Sequence, residues 1–524
     1  MTMNKLAASL LLAMAVKPGF ALTVNTIGDE GPGNCDTTCT LRDAIATVAS
    51  GGTIDFALGP DPQTIVLTND LYITTAVNIV GPGAGLLTIG DGRDSGLFRA
   101  SFLSVGAATV ISGVTIAEGH VVGESFDYSP AAIPGGYARG GCISTNAPLT
   151  LMHVAMNYCS ATAGNAGNGG AYWGGDALGG AIYADGALTL IDSTISFSQV
   201  HGGKGADFEL EGGAGGGALG CAIYARSGPV TISNSTISGC LAVGGEGGAG
   251  PCGFGGQAGT GGNARGSLWI ADNVASASIT SSTFHDNVMT PGLGGFHYSC
   301  ERPGGSASGA AIANVGLGTS IDASTFMNNS AINGGAIENA KTLKIINSTL
   351  ANNSGVAGAG ISNKPGATLI VASSTLAGNA ASSSGGGIQN SGTLYLLSSI
   401  VSANSAPTGA DVYGLGPGNN SLGYNLIGDA TSSGLAATAG DQFGTTATPI
   451  DAKFSAAGLA DNGGLTKTIA VQPTSPARNA GNCAVNANPA IAAITVDQRD
   501  HLRGTPCTIG AYDLDPIFNN GFDG

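Results

Sequence analysis

From residue 319 to 404 the apolar positions recur in short blocks rather than at helical spacing. Three units align in succession: "TSIDASTFMNNSAINGGAIENA", "TLKIINSTLANNSGVAGAGISNKPGA" and "TLIVASSTLAGNAASSSGGGIQNSG". A fourth, "TLYLLSSIVSAN", begins immediately after them. The Thr of each Ser-Thr pair falls at Thr325, Thr349 and Thr375, with Ile400 in the equivalent place, so the period is 24 to 26 residues. Within a unit the apolar residues alternate, as at Leu343 and Ile345 or Leu369 and Val371. That is the two-residue period of a strand.

Each unit holds three short β-rich runs, "GGAI", "TLxI" and "STLxxN", separated by Gly, Asn or Ser. One unit cannot bury an apolar face by itself. Stacking successive units buries it, and each strand then pairs in parallel with its equivalent in the next. The pattern predicts an all-β fold, a right-handed parallel β-helix with about 25 residues per coil. Less regular segments of the same kind run upstream: "TIDF" (53–56), "TIVL" (64–67), "VNIVGPG" (77–83), "LLTIGDG" (86–92) and "ATVISGVTIAEG" (108–119). Residues 53–430 then make roughly a dozen coils, a rod about 55–60 Å long at about 4.8 Å per layer.

Two recurring positions carry corner chemistry. The Gly-Gly before each Ile, Gly335 among them, suits positive φ and close backbone approach. The Asn that closes each third strand (Asn287, Asn329, Asn353, Asn379 and Asn404) tolerates the left-handed region. Five in-phase asparagines are expected to form a hydrogen-bonded ladder along the axis, rather than five separate solvated turns.

Upstream, Ser-Thr pairs at Ser193-Thr194, Ser235-Thr236 and Ser282-Thr283 are spaced by 42 to 47 residues. These longer units are ordinary coils with one insertion each: 160–178, 201–219, 241–265 and 288–308. All four leave after the Ser-Thr strand and return before the "GGAI"-like strand, so the loops should lie side by side on one flank. They gather Tyr172, Trp173, Phe208, Phe254 and Tyr298, so one reading of that flank is a ligand-binding surface, as for a glycan that stacks on aromatic rings. The bland alternative is low-complexity cover for strand edges.

Composition narrows the class. The chain has 524 residues, 89 glycines, 10% charged and 43% hydrophobic residues, which is neither collagen nor a disordered chain. Residues 1–21 read as a signal peptide: Lys5, an apolar run from Leu6 to Val16, then Gly19 and Ala21 before the cleavage point. No later segment is apolar enough to span a bilayer as a helix. The net charge is −16, and −18 once Lys5 and Lys17 leave with the leader, a balance that disfavours nucleic acid. Ten cysteines in an exported chain suggest disulfides, and chain order suggests five local pairs: Cys35–Cys39, Cys142–Cys159, Cys221–Cys240, Cys252–Cys300 and Cys483–Cys507. No cofactor or metal is expected.

Both ends of a solenoid need closing. "CTLRDAIATVAS" (39–50) predicts a short amphipathic helix with Leu41, Ala44, Ile45 and Val48 on one face and Thr40 or Thr38 as N-cap. It belongs to an N-terminal cap over 22–52. Residues 431–514 lose the repeat, gain Pro, Asp and a Cys pair, and suit an irregular C-terminal cap. Residues 515–524 form a tail, a candidate sorting signal.

At this point a resemblance emerges. "CTLRDAI" at 39–45 resembles the "CSLREAI" motif of exported bacterial β-helix proteins. The "GGAI" and "FxxN" pairs, clearest from Phe326 to Ile337, resemble the repeats of polymorphic outer membrane proteins. "NGGLTKTIAVQPTSPARNAGNC" (462–483) with "DQRDHLRGTPCTIGAYD" (497–513) resembles the choice-of-anchor Q domain. The resemblance implies export, a β-helix and a surface or outer-membrane association, and some relatives act in adhesion through chains that end in a membrane barrel. Nothing after 515 resembles barrel strands here.

Right-handed β-helices also include polysaccharide lyases and glycoside hydrolases, whose chemistry needs convergent carboxylates. Asp192, Asp272, Asp322 and Glu338 stand isolated along the coils; Asp91 and Arg93 in "GDGRD" suit a structural turn; "GGKGADFEL" (202–210) only partly fits a Ca²⁺-binding nonapeptide. The expected function is an exported, adhesin-like or structural scaffold without catalytic residues, whose partners are glycans or cell-surface components. A carbohydrate-active β-helix is the alternative.

Overall fold

The computed structural model describes residues 21–31, 33–91, 103–126, 132–250, 257–297, 300–414, 418–483 and 493–514. The leader, the tail, Arg93, Phe254, Tyr298 and the Cys252–Cys300 pairing lie outside the described residues.

A single coil shows how the sequence repeat becomes structure. Ile337–Asn339 lies on one face (face C), Thr342–Ile346 on the next (face A) and Thr349–Ala351 on the third (face B). Ile361–Asn363 then returns to face C and pairs in parallel with Ile337–Asn339. Repetition of this path builds a parallel β-helix with 13 strands on face A, 13 on face B and 11 on face C. Alternate side chains point inward, so Leu343, Ile345, Leu350, Ile337 and Ile361 are all fully buried in one apolar column that runs from Val24 to Ile427.

Three turns per coil place a residue at positive φ. One precedes face C and is glycine in coil after coil, for instance Gly309, Gly334 and Gly358. A second follows face A, at Asn234, Ser281, Ala323, Asn347 and Ser373. The third follows face B, at Asp286, Asn328, Asn352 and Gly378. The Gly-Gly pair divides the two tasks. Gly334 takes φ 58°, while a Cβ on Gly335 would meet the Ala359 carbonyl oxygen at 2.4 Å.

Each left-handed residue is followed by one that points into the rod. After face B these are the asparagines, and it is their Asn328- and Asn352-type predecessors that take positive φ. Asn287 Nδ2 donates to Asn329 Oδ1 (2.8 Å), Asn329 to Asn353 (2.9 Å), Asn353 to Asn379 (2.8 Å) and Asn379 to Asn404 (2.8 Å). Asn404 Nδ2 donates in turn to Asp411 Oδ1 (2.9 Å), which ends the series. A second series, Asn314 to Asn339, Asn363, Asn390 and Asn419, runs beside it at the end of face C with spacings of 2.5–2.9 Å. After face A the inward residue is the Ser of each Ser-Thr pair. Its Oγ accepts the backbone N–H of the preceding coil, as in Ser282 N to Ser324 Oγ (3.1 Å) and Ser324 N to Ser348 Oγ (3.1 Å).

Four disulfides are formed among the described residues: Cys35–Cys39, Cys142–Cys159, Cys221–Cys240 and Cys483–Cys507. The helix Leu41–Thr47 buries Leu41, Ala44 and Ile45 on the first coil. Thr40, not Thr38, is its N-cap: its side chain accepts from Asp43 N while Asp43 accepts from Thr40 N.

The C-terminal segment does more than close the far end. Gln442–Phe443 adds a last strand to face B, after which the chain turns back along the outside of that face. Thr325 Oγ donates to Lys467 O (2.6 Å), Thr349 Oγ to Gln498 Oε1 (2.6 Å), and Ala511 N donates to Thr375 Oγ (3.0 Å). The outward threonines of three successive coils thus hold a strap. Its DQRDHLRG stretch is locked internally by the buried Arg499–Asp497 pair (2.7 Å), with the Arg499 guanidinium 3.9 Å from the Tyr512 ring.

Two outcomes are expected. Asn353→Ala leaves the buried Asn329 amide without its acceptor, so it should cost roughly 2–3 kcal/mol in urea unfolding. Asn352→Gly beside it, at φ 57°, should be nearly neutral. The second outcome concerns pH. Burial pushes the Asp411 carboxyl from 3.8 up to about 6, against its hydrogen bonds from Asn404 and Asp429. The native state therefore binds this proton more tightly than the unfolded chain does. The Asp411 contribution is greatest below pH 3.8, falls as pH rises to about 6, and amounts to roughly 3 kcal/mol across that window. The melting temperature of the wild type relative to Asp411→Asn should accordingly be higher at pH 4 than at pH 7; an equal gap at both would refute the assignment.

Candidate functional site

The glycine-rich insertions all leave the rod at one phase. Each begins as a short strand (Ser160–Thr162, Gln199–His201, Leu241–Val243, Val288–Thr290) and returns as another (Ala177–Leu178, Ala218–Leu219, Ala264–Arg265, Ala307–Ser308). A fifth insertion, 123–137, precedes these four and joins the same arrays through His120–Val122 and Ala138–Arg139.

Beyond these strands the arms follow a three-residue period. In the outgoing arm at 202–208, Gly202, Gly205 and Phe208 donate to Val243, Glu246 and Ala249 of the next outgoing arm (2.9, 2.9 and 3.1 Å). Gly203 and Ala206 donate instead across to Gly175 and Tyr172 of a returning arm (both 2.9 Å). Lys204 and Asp207 face outward, and their N–H groups go to Asn165 Oδ1 (2.7 Å) and Asn168 Oδ1 (3.1 Å). Three residues per turn with every hydrogen bond made to a neighbouring arm is the habit of an extended polyproline-II-like chain. The result is a two-layered fin, with outgoing arms in one layer and returning arms in the other. One zigzag of bonds crosses it from end to end: Gly136 to Glu124, Gly164 to Gly136, Gly175 to Gly164, Gly203 to Gly175, Gly216 to Gly203, then Gly245, Gly262, Gly292 and Gly305 in turn (2.7–2.9 Å). Glycine is required here by proximity. A Cβ on Gly203 would lie 1.9 Å from the Gly164 oxygen, and one on Gly216 1.8 Å from that of Gly175.

Of the sequence-predicted aromatics, Tyr172, Trp173 and Phe208 stand toward the outer rim of this fin. Trp173 is 53% exposed, with the Tyr172 ring 6.1 Å away, and Phe208 is half-buried. Leu210 and Phe296 add exposed apolar groups to the rim. Two loop carboxylates are engaged in the architecture: Asp207 Oδ1 accepts from Ala249 N (2.7 Å) and Asp176 Oδ1 from Gly217 N (2.6 Å).

At the base of the returning layer, face C carries a column that the sequence reading passed over. Tyr183, Tyr224 and Trp269 occupy one register position on three successive coils. Their rings stack at 5.5 and 6.4 Å, within 15° of parallel. The Arg139 guanidinium sits 5.5 Å from the Tyr137 ring and 5.4 Å from that of Tyr183; Arg265 sits 5.8 Å from Trp269. Arg226 pairs with Asp185 (2.8 Å). Burial raises the Asp176 carboxyl above its ordinary range and the Tyr224 phenol likewise. The signal lay in the repeat: the aromatic follows the "GGAI"-type Ile or its equivalent at 182–183, 223–224 and 268–269.

No protein-family model and no curated protein matches the chain. Among solved structures it is similar to ORF18 of Geobacillus virus E2 (11% identity, 78% of this chain and 61% of that one, TM-score 0.35). It is also similar to pectate lyase Pel9A (13% identity, 94% and 96% of the two chains, TM-score 0.34) and a rhamnogalacturonan lyase (12% identity, 87% and 96%, TM-score 0.25). This chain therefore spans less than two thirds of the viral protein. The β-helix assignment rests on the strand pairing described above.

If close glycine contact holds the fin together, Gly203→Ala should release it while leaving the rod intact. Amide exchange should accelerate across 202–217 and 244–262, with the main melting transition shifted by only a few degrees. Lys204→Ala, one position further on and facing outward, should leave exchange unchanged.

Proposed function

We propose that this protein is an exported, non-catalytic scaffold, adhesin-like in its action, that holds a ligand-binding rim at a fixed distance from its rod. The observation that carries the reading is the fin. Its arms are cross-bonded at every layer, so side chains at the rim are presented on a rigid support, which lowers the ordering cost of binding. Arms of about seven residues at about 3.1 Å each lift the rim roughly 20 Å from the rod. Trp173, Tyr172 and Phe208 are the contacts assigned to glycan or other cell-surface ligands, together with Phe254 and Tyr298 on neighbouring insertions.

Export is supported by the leader-like residues 1–21 and by four disulfides among the described residues. Among those residues, no helix is long and apolar enough to cross a membrane. The CSLREA-like opening, the polymorphic-outer-membrane-protein-like repeats and the choice-of-anchor-Q-like C-terminal stretch suit attachment at the cell surface. In the catalytic alternative, Asp176 is the acid with the most perturbed setting on the flank, and its Oδ1 is already committed to Gly217 N.

The test uses the chain's two tryptophans. In a Trp269→Phe background, Trp173 fluorescence should be quenched readily by acrylamide and protected by a bound glycan from an array. Trp173→Ala should weaken that binding about tenfold or more without changing the melting temperature. A drop of several degrees with binding retained would make the ring packing rather than a contact.

A further inference from the structure

On the opposite side of the fin, the left-handed corners after face B hold two residues that do not belong there on conformational grounds. This column reads Glu118, Tyr158, Phe197, Gly239, Asp286, Asn328, Asn352 and Gly378. Gly, Asn and Asp tolerate positive φ, whereas bulky side chains there are outliers. Tyr158 takes φ 56° and Phe197 φ 54°, on successive coils. Their rings stack at 5.4 Å and 12° from parallel, yet remain 60% and 51% exposed. The next corner is Gly239, where a Cβ would come within 2.8 Å of the Phe197 ring, so the missing side chain lets that ring lie down on the backbone. Packing does not account for the pair. Tyr424, an aromatic at a comparable corner, is only partly exposed and has its ring close against Gly440. Strain maintained at adjacent positions to hold two apolar rings in water points to use of the rings.

We propose that Tyr158 and Phe197 form a stacking platform for the pyranose rings of a neutral glycan, a second contact site separate from the fin rim. A pyranose presents an apolar C–H face and a rim of hydroxyls, and the surroundings match both. Asn157 and Ser196 precede the two rings in register, with the buried Ser238 next in that column, and His120, Ser160 and Gln199 share one register position on the strands that follow the corner. Ser196 and Ser238 hydroxyls lie 3.2 Å apart, and His201 Nε2 lies 3.3 Å from Gln199 Oε1. Burial, together with His120, holds His201 below the ordinary imidazole range. The corner column is bounded by carboxylates, Glu118 before the rings and Asp286 after Gly239, in a chain of net charge −16. Those charges repel an anionic polymer; Asp286 Oδ1 accepts from Asn328 Nδ2 (3.0 Å), and its Oδ2 lies 2.6 Å from His285 Nδ1. The platform is also too small for a protein partner. Two side chains of roughly 150–250 Å² each, half exposed, fall far short of the roughly 1,000 Å² of a stable interface.

The proposal shares with the rim reading the premise that this protein meets glycans, and the test separates them. The full mature chain is measured by affinity electrophoresis against xyloglucan, galactomannan, mixed-linkage β-glucan and soluble chitin oligomers, with polygalacturonate as the anionic control. Tyr158→Asn/Phe197→Asn places a corner-favoured residue at both sites, so its melting temperature should be unchanged or higher. Its affinity for the neutral polymer that the wild type binds should fall about tenfold. A wild type that binds none of the neutral polymers, or prefers polygalacturonate, overturns the platform. So does binding that survives in the double variant, or a melting temperature several degrees lower, which would make the rings a packing element. Loss confined to Trp173→Ala would overturn the platform and leave the rim reading standing.

Discussion

The left-handed corner governs this molecule. A flat strand cannot turn into the next within two residues unless one residue takes positive φ, and here three do so in every regular coil. At the corner before face C the requirement is double. Gly179 and Gly334 have positive φ, and a Cβ on either would meet the carbonyl oxygen of Ile182 or Ile337 at 2.2–2.3 Å. Only glycine serves, and glycine occupies that place from Gly140 to Gly409. The other two corners carry side chains, mostly Asn, Asp, Ser and Ala, with Tyr158 and Phe197 as bulkier exceptions, and among them Asn347, Ser373 and Ser398 are buried. Because each corner fixes the residue after it as inward-pointing, the corners also dictate which side chains meet along the axis. The asparagine and serine series follow from that placement, and they satisfy the N–H and C=O groups that a corner leaves without a strand partner.

The fin applies glycine to a different end. In the rod, apolar side chains fill the interior and the backbone pairs around it. In the fin the backbones of two layers touch directly, and the interior is the hydrogen bonds themselves, with carbonyl oxygens where a Cβ would be. Such a lamella has little hydrophobic driving force of its own. Its order depends on roots held in register by the rod, which deliver each arm at the layer spacing that the cross-bonds need. The dependence explains why the insertions share one phase: an arm rooted elsewhere would have no neighbour for its N–H groups.

The coil was legible in the sequence because its signals are local and repeat in phase: "GGAI", the Ser-Thr pair and the Asn that closes each third strand. The second asparagine series was equally local, in "IAN", "IEN", "ISN" and "IQN" at 312–314, 337–339, 361–363 and 388–390, but it ends strands that read as ordinary. The fin was half legible. Its four long units and their common flank follow from spacing, whereas its internal order lies in a three-residue glycine period, as in Gly244-Gly245-Glu246-Gly247-Gly248, that a search for strands and helices passes over. The fifth insertion escaped because the coils around it carry no Ser-Thr pair. The strap was beyond reach. Thr349 meets Gln498 across 149 residues, and no short-range pattern announces that the outward threonines of the last coils are covered while Thr194 is not.

The disulfides and the asparagine ladder divide the rod between them, and the fin explains the division. In coils without an insertion, a few residues such as 354–357 close the gap between the corner after face B and the corner before face C. There Asn329, Asn353 and Asn379 knit the closure from coil to coil. In the insertion coils the same gap is spanned by two separate short strands whose connection runs out to the rim and back, so the cross-section is open at its base. In three of these coils the inward position after the corner is then Cys159, Ser198 or Cys240 instead of Asn, and Asn287 takes it at the last. Cys159 and Cys240 reach across to Cys142 and Cys221, which stand just after returning arms. Each bond ties the root of an outgoing arm to that of a returning one and closes the rod beneath the fin. A covalent link suits that place because the alternative closure, a chain of amides each needing a neighbour directly above and below, begins only at Asn287, where the last insertion leaves the rod.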